Sequence, residues 1–334
     1  MRAIAPGKLI LSGEHAVVYG RPALAMAIDR CAQSVISLGA DDLVSFNLVD
    51  LKEADSFTLR ALGDLKTRVQ RNYQMFLTGE LGIRDVLHKP IELFEYAFII
   101  LLDGLHLKFS DGVNIQTQSN IPIGCGMGSS AATILSLLRG IGHYFRVEFR
   151  PDWFLKYSLE AEKLQHGFPS GVDSFISLNG GCALFQNGSA TSVPLPRLAM
   201  YLVNTGTPAA TTGECVVDVK TKFERDLIWN DFEAVTLALE KAVRENKLED
   251  VQQAIRENHR LLTRIGVVPA RVQQFVGEIE AQGGAAKICG AGSVLGETAG
   301  MVLVMAEQAP TDLCKRYGYE LTTVRGDPLG ARIV

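Results

Sequence analysis

The sequence lacks a long hydrophobic run. Its longest apolar stretch, from Tyr96 to Leu102, stops at Asp103, far short of the about 20 apolar residues that span a bilayer. The apolar residues of the first segment, 1–8, are too broken for a signal peptide. We therefore predict a protein without a membrane partner, in which residues 96–102 form part of a buried helix.

The sequence also lacks a basic excess and paired cysteines. Lysine and arginine number 33 against 37 acidic residues, a net charge of −4, so we expect no nucleic-acid partner. The six cysteines are scattered without a C-x-x-C pair: Cys31, Cys125, Cys182, Cys215, Cys289 and Cys314. This spacing favours reduced thiols in a cytoplasmic protein over a disulfide framework or a zinc site.

Two common nucleotide-binding motifs are missing as well. No glycine-rich loop closes on Gly-Lys-Ser/Thr, and no G-x-G-x-x-G follows a strand with an acidic residue downstream. The second absence argues against a Rossmann-type oxidoreductase. At 334 residues the chain is long for a single core, so we expect two domains in a globular protein.

A loop of alternating glycines lies between a predicted strand and a predicted helix. Apolar and polar residues alternate over Val113–Gln118, and apolar residues recur at helical spacing from about Ser129. Between them, Gly124, Gly126 and Gly128 allow close backbone approach to a ligand. A loop that leads into a helix N-terminus attracts anions, because the first helical amides have no partner and the helix dipole favours negative charge. The alternative is a capped helix after a flexible loop.

Three motifs in order resemble those of the GHMP kinases, in their mevalonate kinase form. Ala5–Gly20 is similar to Ala-Pro-Gly-Lys-x-x-Leu-x-Gly-Glu-His-Ala-Val-Val-Tyr-Gly. Pro122–Ala132 resembles Pro-x-x-x-Gly-Leu-Gly-Ser-Ser-Ala, with Met127 in place of leucine. Glu162–Ser174 resembles Glu-x-x-x-His-Gly-x-Pro-Ser-Gly-Val-Asp-Asn, with Ser174 in place of asparagine.

Two further segments match less well. The family has a substrate-contacting threonine followed by lysine or arginine; Thr211 stands at the threonine position, but Thr212 and Gly213 follow it. The last motif of the family, Lys-x-Thr-Gly-Ala-Gly and more glycines, has its counterpart at Lys287–Gly292. Cys289 replaces threonine there, and bulky residues follow where glycines are usual, so we expect a differently shaped loop.

The resemblance implies an α+β two-domain GHMP kinase fold. The N-terminal domain, residues 1–190, would be like domain 2 of ribosomal protein S5 and would hold the phosphate loop. The C-terminal domain, residues 191–334, would be ferredoxin-like. ATP and the acceptor would lie in the cleft between them. Dimers are common in the family, which allows a homodimer, although the sequence carries no interface signal.

The resemblance also implies a set of site residues for ATP, Mg²⁺ and a small-molecule acceptor, mevalonate. The phosphates of ATP would be held by Pro122, Gly124, Gly126, Gly128, Ser129, Ser130 and Ala131. Mg²⁺, which prefers oxygen ligands, would be held by Ser130 and Glu162. The acceptor would be contacted by Glu14, His15 and Thr211, with His15 as a partner for its carboxylate.

Asp173 and Lys8 are the predicted catalytic residues. Asp173 would orient the acceptor hydroxyl and take its proton, or act only as an electrostatic partner. Lys8 would stabilise the carboxylate and the developing alkoxide. Each motif residue also has a structural interpretation: Asp173 as a helix cap and Glu162 as a solvated helix carboxylate. Lys8 and Glu14 would be solvated residues near a strand end, and His15 a histidine whose hydrogen bonds are satisfied.

Two other functions stay open at the level of sequence. The acceptor could be phosphomevalonate or another hydroxy acid, because the Thr211 segment and the last motif are unusual. A nucleotide- or ligand-binding protein on the same fold, without turnover, is the alternative from a different class. Retention of Lys8, Ser130, Glu162 and Asp173 argues against it, because a sensor needs neither a base nor a metal ligand.

Overall fold

The computed structural model describes residues 1–108 and 111–334 of the chain. Its strands are β1 (Arg2–Ser12), β2 (Ala23–Leu38), β3 (Val44–Leu48), β4 (Glu53–Phe57), β5 (Val113–Ser119), β6 (Cys182–Gln186), β7 (Ser189–Val193), β8 (Met200–Asn204), β9 (Ala285–Ile288), β10 (Met301–Met305), β11 (Glu320–Val324) and β12 (Arg332–Ile333). Its helices are α1 (Leu59–Leu77), α2 (Glu92–Gly104), α3 (Ser129–Tyr144), α4 (Pro151–His166), α5 (Val172–Asn179), α6 (Thr212–Phe223), α7 (Ile228–Glu245), α8 (Leu248–Arg264), α9 (Ala270–Ala281) and α10 (Thr311–Tyr317). This mixture of sheet and helix confirms the predicted α+β class.

The larger sheet has eight strands, in the order β12-β1-β2-β5-β3-β4, and β6 and β7 extend it from β2. The 16-residue β2 pairs with two further strands along its length: Ala23–Met26 pair with β6, and Ala32–Leu38 pair with β5. Helix α3 packs on β1 and β2, and Phe46, Phe98 and Leu135 lie in the core on this side. The helix that carries the glycine-rich loop is therefore anchored on the two central strands.

The smaller sheet has the antiparallel order β11-β8-β10-β9. Helices α8 and α9 pack against β9, and α10 packs against β11. A second core forms around Trp229, Phe232 and Phe275. No helix in the described ranges is both long and apolar enough to cross a bilayer.

Two separate helices lie after the segment of Thr211. Helix α6 ends at Phe223 and α7 begins at Ile228. Helix α6 itself was missed, although Thr211 and Glu214 form a capping box at its start. A capping box satisfies two free backbone amides, so the Thr-x-x-Glu spacing was a usable signal.

The predicted division at residues 190 and 191 stays a prediction. That position lies within β7, which pairs with β6 of the larger sheet. The end of the chain also returns to this sheet, because β12 pairs with β1 through Ala3 and Ile333. Residues from beyond 191 thus contribute to the sheet that carries the first motif.

Candidate active site

The glycine-rich loop ends in an open helix N-terminus. Gly124, Gly126 and Gly128 have φ angles of 72°, 70° and 69°, in the left-handed region that favours glycine. Helix α3 begins at Ser129. Its N-cap residue is Gly128, which has no side chain that could accept a hydrogen bond from the first helical amides. The first amides of α3 therefore stay available to an anion. The Ala131 side chain is buried, so only its backbone can take part.

Lys8 and Asp173, the two predicted catalytic residues, lie together beside this loop. Lys8 Nζ is 3.2 Å from Asp173 Oδ1, and the same ammonium donates to the Gly126 carbonyl over 2.9 Å. The Lys8 side chain is only 4% exposed, whereas that of Asp173 is 33% exposed. The pair thus presents a partly exposed carboxylate with a buried cation beside it.

The local structure explains how this pair is positioned. The register of β1 against β2 shifts between Pro6 and Lys8, and a bulge of this kind re-aims a side chain. The Lys8 amide donates to the Met127 carbonyl over 2.9 Å, which ties β1 to the glycine-rich loop. Asp173 lies in the first turn of α5, after Gly171 at the N-cap, so the helix-cap interpretation of Asp173 is wrong. The Ser177 hydroxyl of α5 donates to the Pro6 carbonyl and fixes the helix against the strand.

Glu162 is buried, so its interpretation as a solvated helix carboxylate is wrong. It is 3% exposed and accepts a hydrogen bond from the Ser174 hydroxyl. Burial, and secondly the negative charge of Asp173, raise the pKa of Glu162 to about 8. A cation placed next to this carboxylate would relieve both penalties.

Ser130, the other predicted metal ligand, has a different partner. Its hydroxyl donates to Gln165 Oε1 of α4 over 2.8 Å, and Gln165 was not among the predicted site residues. Hydroxyl and carboxylate oxygens are the hard donors that Mg²⁺ prefers, so the chemistry of the pair fits that ion. The described residues contain no cluster of three or more His, Cys, Asp or Glu side chains able to bind a metal. Waters and phosphate oxygens would have to complete any coordination sphere.

Glu14 and His15 are buried against the last motif. The interpretation of Glu14 as a solvated strand-end residue is therefore wrong, whereas the His15 ring has a hydrogen-bond partner, as its structural interpretation expects. Glu14 is 2% exposed and forms an ion pair with the fully buried Lys287. The His15 ring donates from Nε2 to the Ala291 carbonyl over 3.1 Å. Burial lowers the pKa of His15 and, despite Lys287, raises the pKa of Glu14.

The last motif also touches the glycine-rich loop directly. A Cβ built on Gly126 would lie 2.7 Å from Gly290 Cα, and one built on Gly290 would lie 2.8 Å from Gly126 Cα. Real side-chain carbons do not come so close to backbone, so the two loops can cross here only as glycines. The match at Gly290 thus has a structural reason, even though the residues after it differ from the family pattern.

Thr211 lies at the N-cap of α6, where its hydroxyl accepts from the Glu214 amide over 3.3 Å. Arg84 reaches across from the turn between α1 and α2 and donates to the same hydroxyl over 3.0 Å. The contact of Thr211 with an acceptor stays a prediction.

A further residue that received no role is His166: loss of water around its ring lowers its pKa, and the charge of Asp173 opposes that effect. His166 therefore belongs to the surroundings of Asp173.

Comparison with known proteins gives the family. Models of the GHMP kinases N terminal domain and of the GHMP kinases C terminal region match residues 92–181 and 239–296. The mevalonate kinase of Archaeoglobus fulgidus is 31% identical over 300 residues, which cover 87% of this chain and 89% of that one. The chain belongs to the GHMP kinase family.

Other GHMP kinases agree with this assignment. The mevalonate kinase of Pyrococcus furiosus is 30% identical over 301 residues, 87% of this chain and 86% of that one. The crystal structure of the Methanococcus jannaschii mevalonate kinase shares the fold, with a TM-score of 0.80, 24% identity and 98% of both chains covered. A GHMP kinase of this kind transfers a phosphoryl group to an alcohol, with ATP as the donor.

Proposed function

We propose that this GHMP kinase phosphorylates mevalonate to 5-phosphomevalonate. The observation that carries the proposal is the Lys8–Asp173 pair, 3.2 Å apart, beside a glycine-rich loop and an open helix N-terminus. Phosphoryl transfer to an alcohol needs a positioned hydroxyl and a cradle for phosphate charge, and this arrangement offers both. The choice of mevalonate rests on the relatives, which carry the name mevalonate kinase at up to 31% identity.

In the proposed mechanism, the backbone amides at the start of α3 hold the β- and γ-phosphates of ATP. The exposed face of Asp173 orients the primary hydroxyl of the acceptor and takes its proton as the bond to phosphorus forms. Lys8 lies between Asp173 and the Gly126 carbonyl, so its positive charge stabilises the developing alkoxide and the transferring phosphoryl group. The enzyme forms no covalent intermediate in this scheme.

Mg²⁺ belongs to the proposal, with Ser130 and Glu162 as the protein ligands. When bound, the ion would neutralise charge on the β- and γ-phosphates. Glu162 would need to be ionised, and burial together with Asp173 opposes that in the protein alone. Gln165 would hold the Ser130 hydroxyl in place through their 2.8 Å hydrogen bond.

The proposal extends to the state of the protein in the cell. All six cysteines are free thiols, which supports a reducing compartment such as the cytoplasm. We also propose that the chain divides near residue 190 into two GHMP kinase domains. A homodimer, which is common in the family, is tested by light scattering of the purified protein at several concentrations.

The experiment that tests the function measures ADP release in a coupled assay with ATP and Mg²⁺. The acceptors are mevalonate, phosphomevalonate, homoserine and galactose, and Asp173→Asn is the inactive variant. Asp152→Asn is a matched control, because Asp152 is an exposed residue in the first turn of α4. We expect turnover of mevalonate that is lost in Asp173→Asn and kept in Asp152→Asn.

Each other result changes the conclusion in a defined way. Turnover of another acceptor alone would keep the kinase and replace the substrate. Binding of ATP without turnover of any of the four acceptors would favour a binding protein on the same fold. Full activity of Asp173→Asn would overturn the catalytic role given to Asp173.

A further inference from the structure

We propose that Arg84 binds the carboxylate of the acceptor acid and selects for it. The inference deepens the proposed function and rests on it. Mevalonate carries its carboxylate at one end and the primary hydroxyl at the other, so a site that holds the hydroxyl at Asp173 needs a cation some distance away. Arg84 is an exposed cation on a short turn at residues 83–85 between α1 and α2.

One flank of Arg84 is tied to the segment that leads into Asp173. The preceding residue, Ile83, lies close to Gly167: a Cβ built on that glycine would lie 3.9 Å from Ile83 Cδ1. The Tyr73 hydroxyl of α1 donates to the Gly167 carbonyl over 2.9 Å. Helix α5 and Asp173 follow a few residues later. The turn with Arg84 is therefore fixed beside the loop that precedes the proposed catalytic carboxylate.

The guanidinium itself reaches the segment of Thr211, at the start of α6. Its Nη2 donates to the Thr211 hydroxyl over 3.0 Å. The segment of Thr211 is in turn joined to the last motif, since the Ala210 amide donates to Ser293 Oγ over 3.3 Å and the Cys215 thiol donates to the Gly292 carbonyl over 3.6 Å.

This series of contacts continues from the last motif to the catalytic pair. Gly290 of the last motif crosses Gly126 of the glycine-rich loop, and the Gly126 carbonyl accepts from Lys8. Arg84 and the Lys8–Asp173 pair are thus joined by a continuous series of contacts through the Thr211 segment, the last motif and the glycine-rich loop.

The hydrogen bonds of Thr211 leave it little capacity to bind an acceptor but allow it to orient Arg84. Its hydroxyl donates to Glu214 Oε2 over 2.7 Å and accepts from the Glu214 amide and from Arg84. The carboxylate of Glu214 is the acid that faces this guanidinium, and its Oε2 also accepts from the Thr211 amide. Among the described residues, Nε and Nη1 of Arg84 have no hydrogen-bond partner. A guanidinium edge of this kind binds a carboxylate through two parallel hydrogen bonds.

The cationic or basic groups of the first and last motifs are less suited to binding the carboxylate of the acceptor. Lys8 is held by Asp173 and Gly126, and Lys287 is buried with Glu14. His15, the residue predicted for this role, is buried; burial lowers the pKa of its ring, and its Nε2 donates to the Ala291 carbonyl. The α6 segment offers no lysine or arginine between Thr211 and Lys220. Arg84 differs from these groups in being exposed.

The test compares mevalonate with its primary amide, which keeps the hydroxyl but has no charge. For the wild-type enzyme we expect kcat/KM to be about 10- to 100-fold higher for the acid, the usual effect of a charge-assisted hydrogen-bonded pair. In Arg84→Gln the acid should lose this advantage, through a raised KM for mevalonate, while the KM for ATP stays unchanged. Arg84→Lys should restore part of it. Arg71→Gln, an exposed arginine on α1, is the matched control and should behave as wild type.

The comparison separates carboxylate binding from a purely structural role. If Arg84 serves only to hold the turn at residues 83–85 against Thr211, Arg84→Gln will lower kcat/KM for acid and amide by the same factor. That result would overturn the inference. If the wild type turns over mevalonate but does not prefer it to the amide, the inference fails and the proposed function stands. A wild type inactive on mevalonate would overturn both.

Discussion

Lys287 and Glu14 form a buried ion pair that joins the last motif to the first. Lys287 is 0% exposed and Glu14 is 2% exposed. The ammonium also donates to the Ile10 carbonyl over 3.0 Å, whereas Glu14 Oε2 has no hydrogen-bond partner among the residues that the structure describes. The two residues are 273 positions apart in the chain, so this pair fixes β9 against the bend that follows β1.

We expect Lys287→Met to destabilise the protein by about 3–5 kcal/mol, because it leaves the Glu14 carboxylate buried without its cation. The double variant Lys287→Met/Glu14→Leu removes the stranded charge and should recover at least half of that loss. Urea denaturation at pH 7 measures both, and Lys222→Met, on the exposed side of α6, serves as a control. If the single and double variants lost the same free energy of unfolding, burying the Glu14 carboxylate without Lys287 would carry no cost, and the prediction would be contradicted.

The crossing of Gly126 and Gly290 predicts a specific effect on nucleotide binding. In Gly290→Ala the new methyl group would lie 2.8 Å from Gly126 Cα, so the phosphate loop must shift and the KM for ATP should rise about tenfold or more. Gly283→Ala is the matched control: its φ is also positive, at 86°, but its Cβ would meet no atom within 4 Å. Both variants should lose about 1–2 kcal/mol of stability from the left-handed backbone. An unchanged KM for ATP in Gly290→Ala would contradict the prediction.

Glu95 should make the protein less stable as the pH rises. Within residues 1–108 and 111–334, neither of its carboxylate oxygens has a hydrogen-bond partner. Burial, and then Asp55 and Glu92, raise the pKa of Glu95 from 4.5 to about 8. Because the folded protein keeps the proton that the unfolded chain loses, the contribution of Glu95 to stability is present below pH 4.5 and is lost as the pH rises through about 8.

Denaturation midpoints between pH 5 and pH 9 measure this contribution. Glu95→Gln keeps the shape and stays neutral, so its stability should fall less steeply with pH than that of the wild type. Glu249→Gln, at an exposed position in the first turn of α8, should leave the slope unchanged. If the stability of Glu95→Gln and that of the wild type fell equally with pH, the pH dependence would come from a group other than Glu95.

The proposed metal ligands should control the Mg²⁺ requirement. Ser130→Ala should raise the Mg²⁺ concentration needed for half-maximal activity about tenfold, and Glu162→Gln should raise it further because an amide carries no charge. Glu160→Gln changes a half-exposed acid of α4 that pairs with Lys163 and should have little effect. An unchanged Mg²⁺ titration in Glu162→Gln would remove this residue from the site.

Several parts of the fold and the site could be read from the sequence because their signals are local. The strand before the glycine-rich loop and the helix after it follow from residue alternation and helical spacing, and α3 begins at Ser129 as expected. The cap of α6 was equally local, in Thr211 and Glu214, and could have been found by the same means. Turn chemistry and hydrophobic periodicity act over a few residues, so they are visible in a single stretch of chain.

The tertiary structure alone decided which of these residues meet. Glu14, whose contact with substrate stays a prediction, has Lys287 of β9 as its partner. The Thr211 hydroxyl receives Arg84 from 127 positions away. Sequence determined the motifs, the α+β class and the residue types available for phosphoryl transfer. Partners such as these depend on how two sheets and their loops stack, since burial and charge pairing are properties of distant segments brought together, and no local pattern records them.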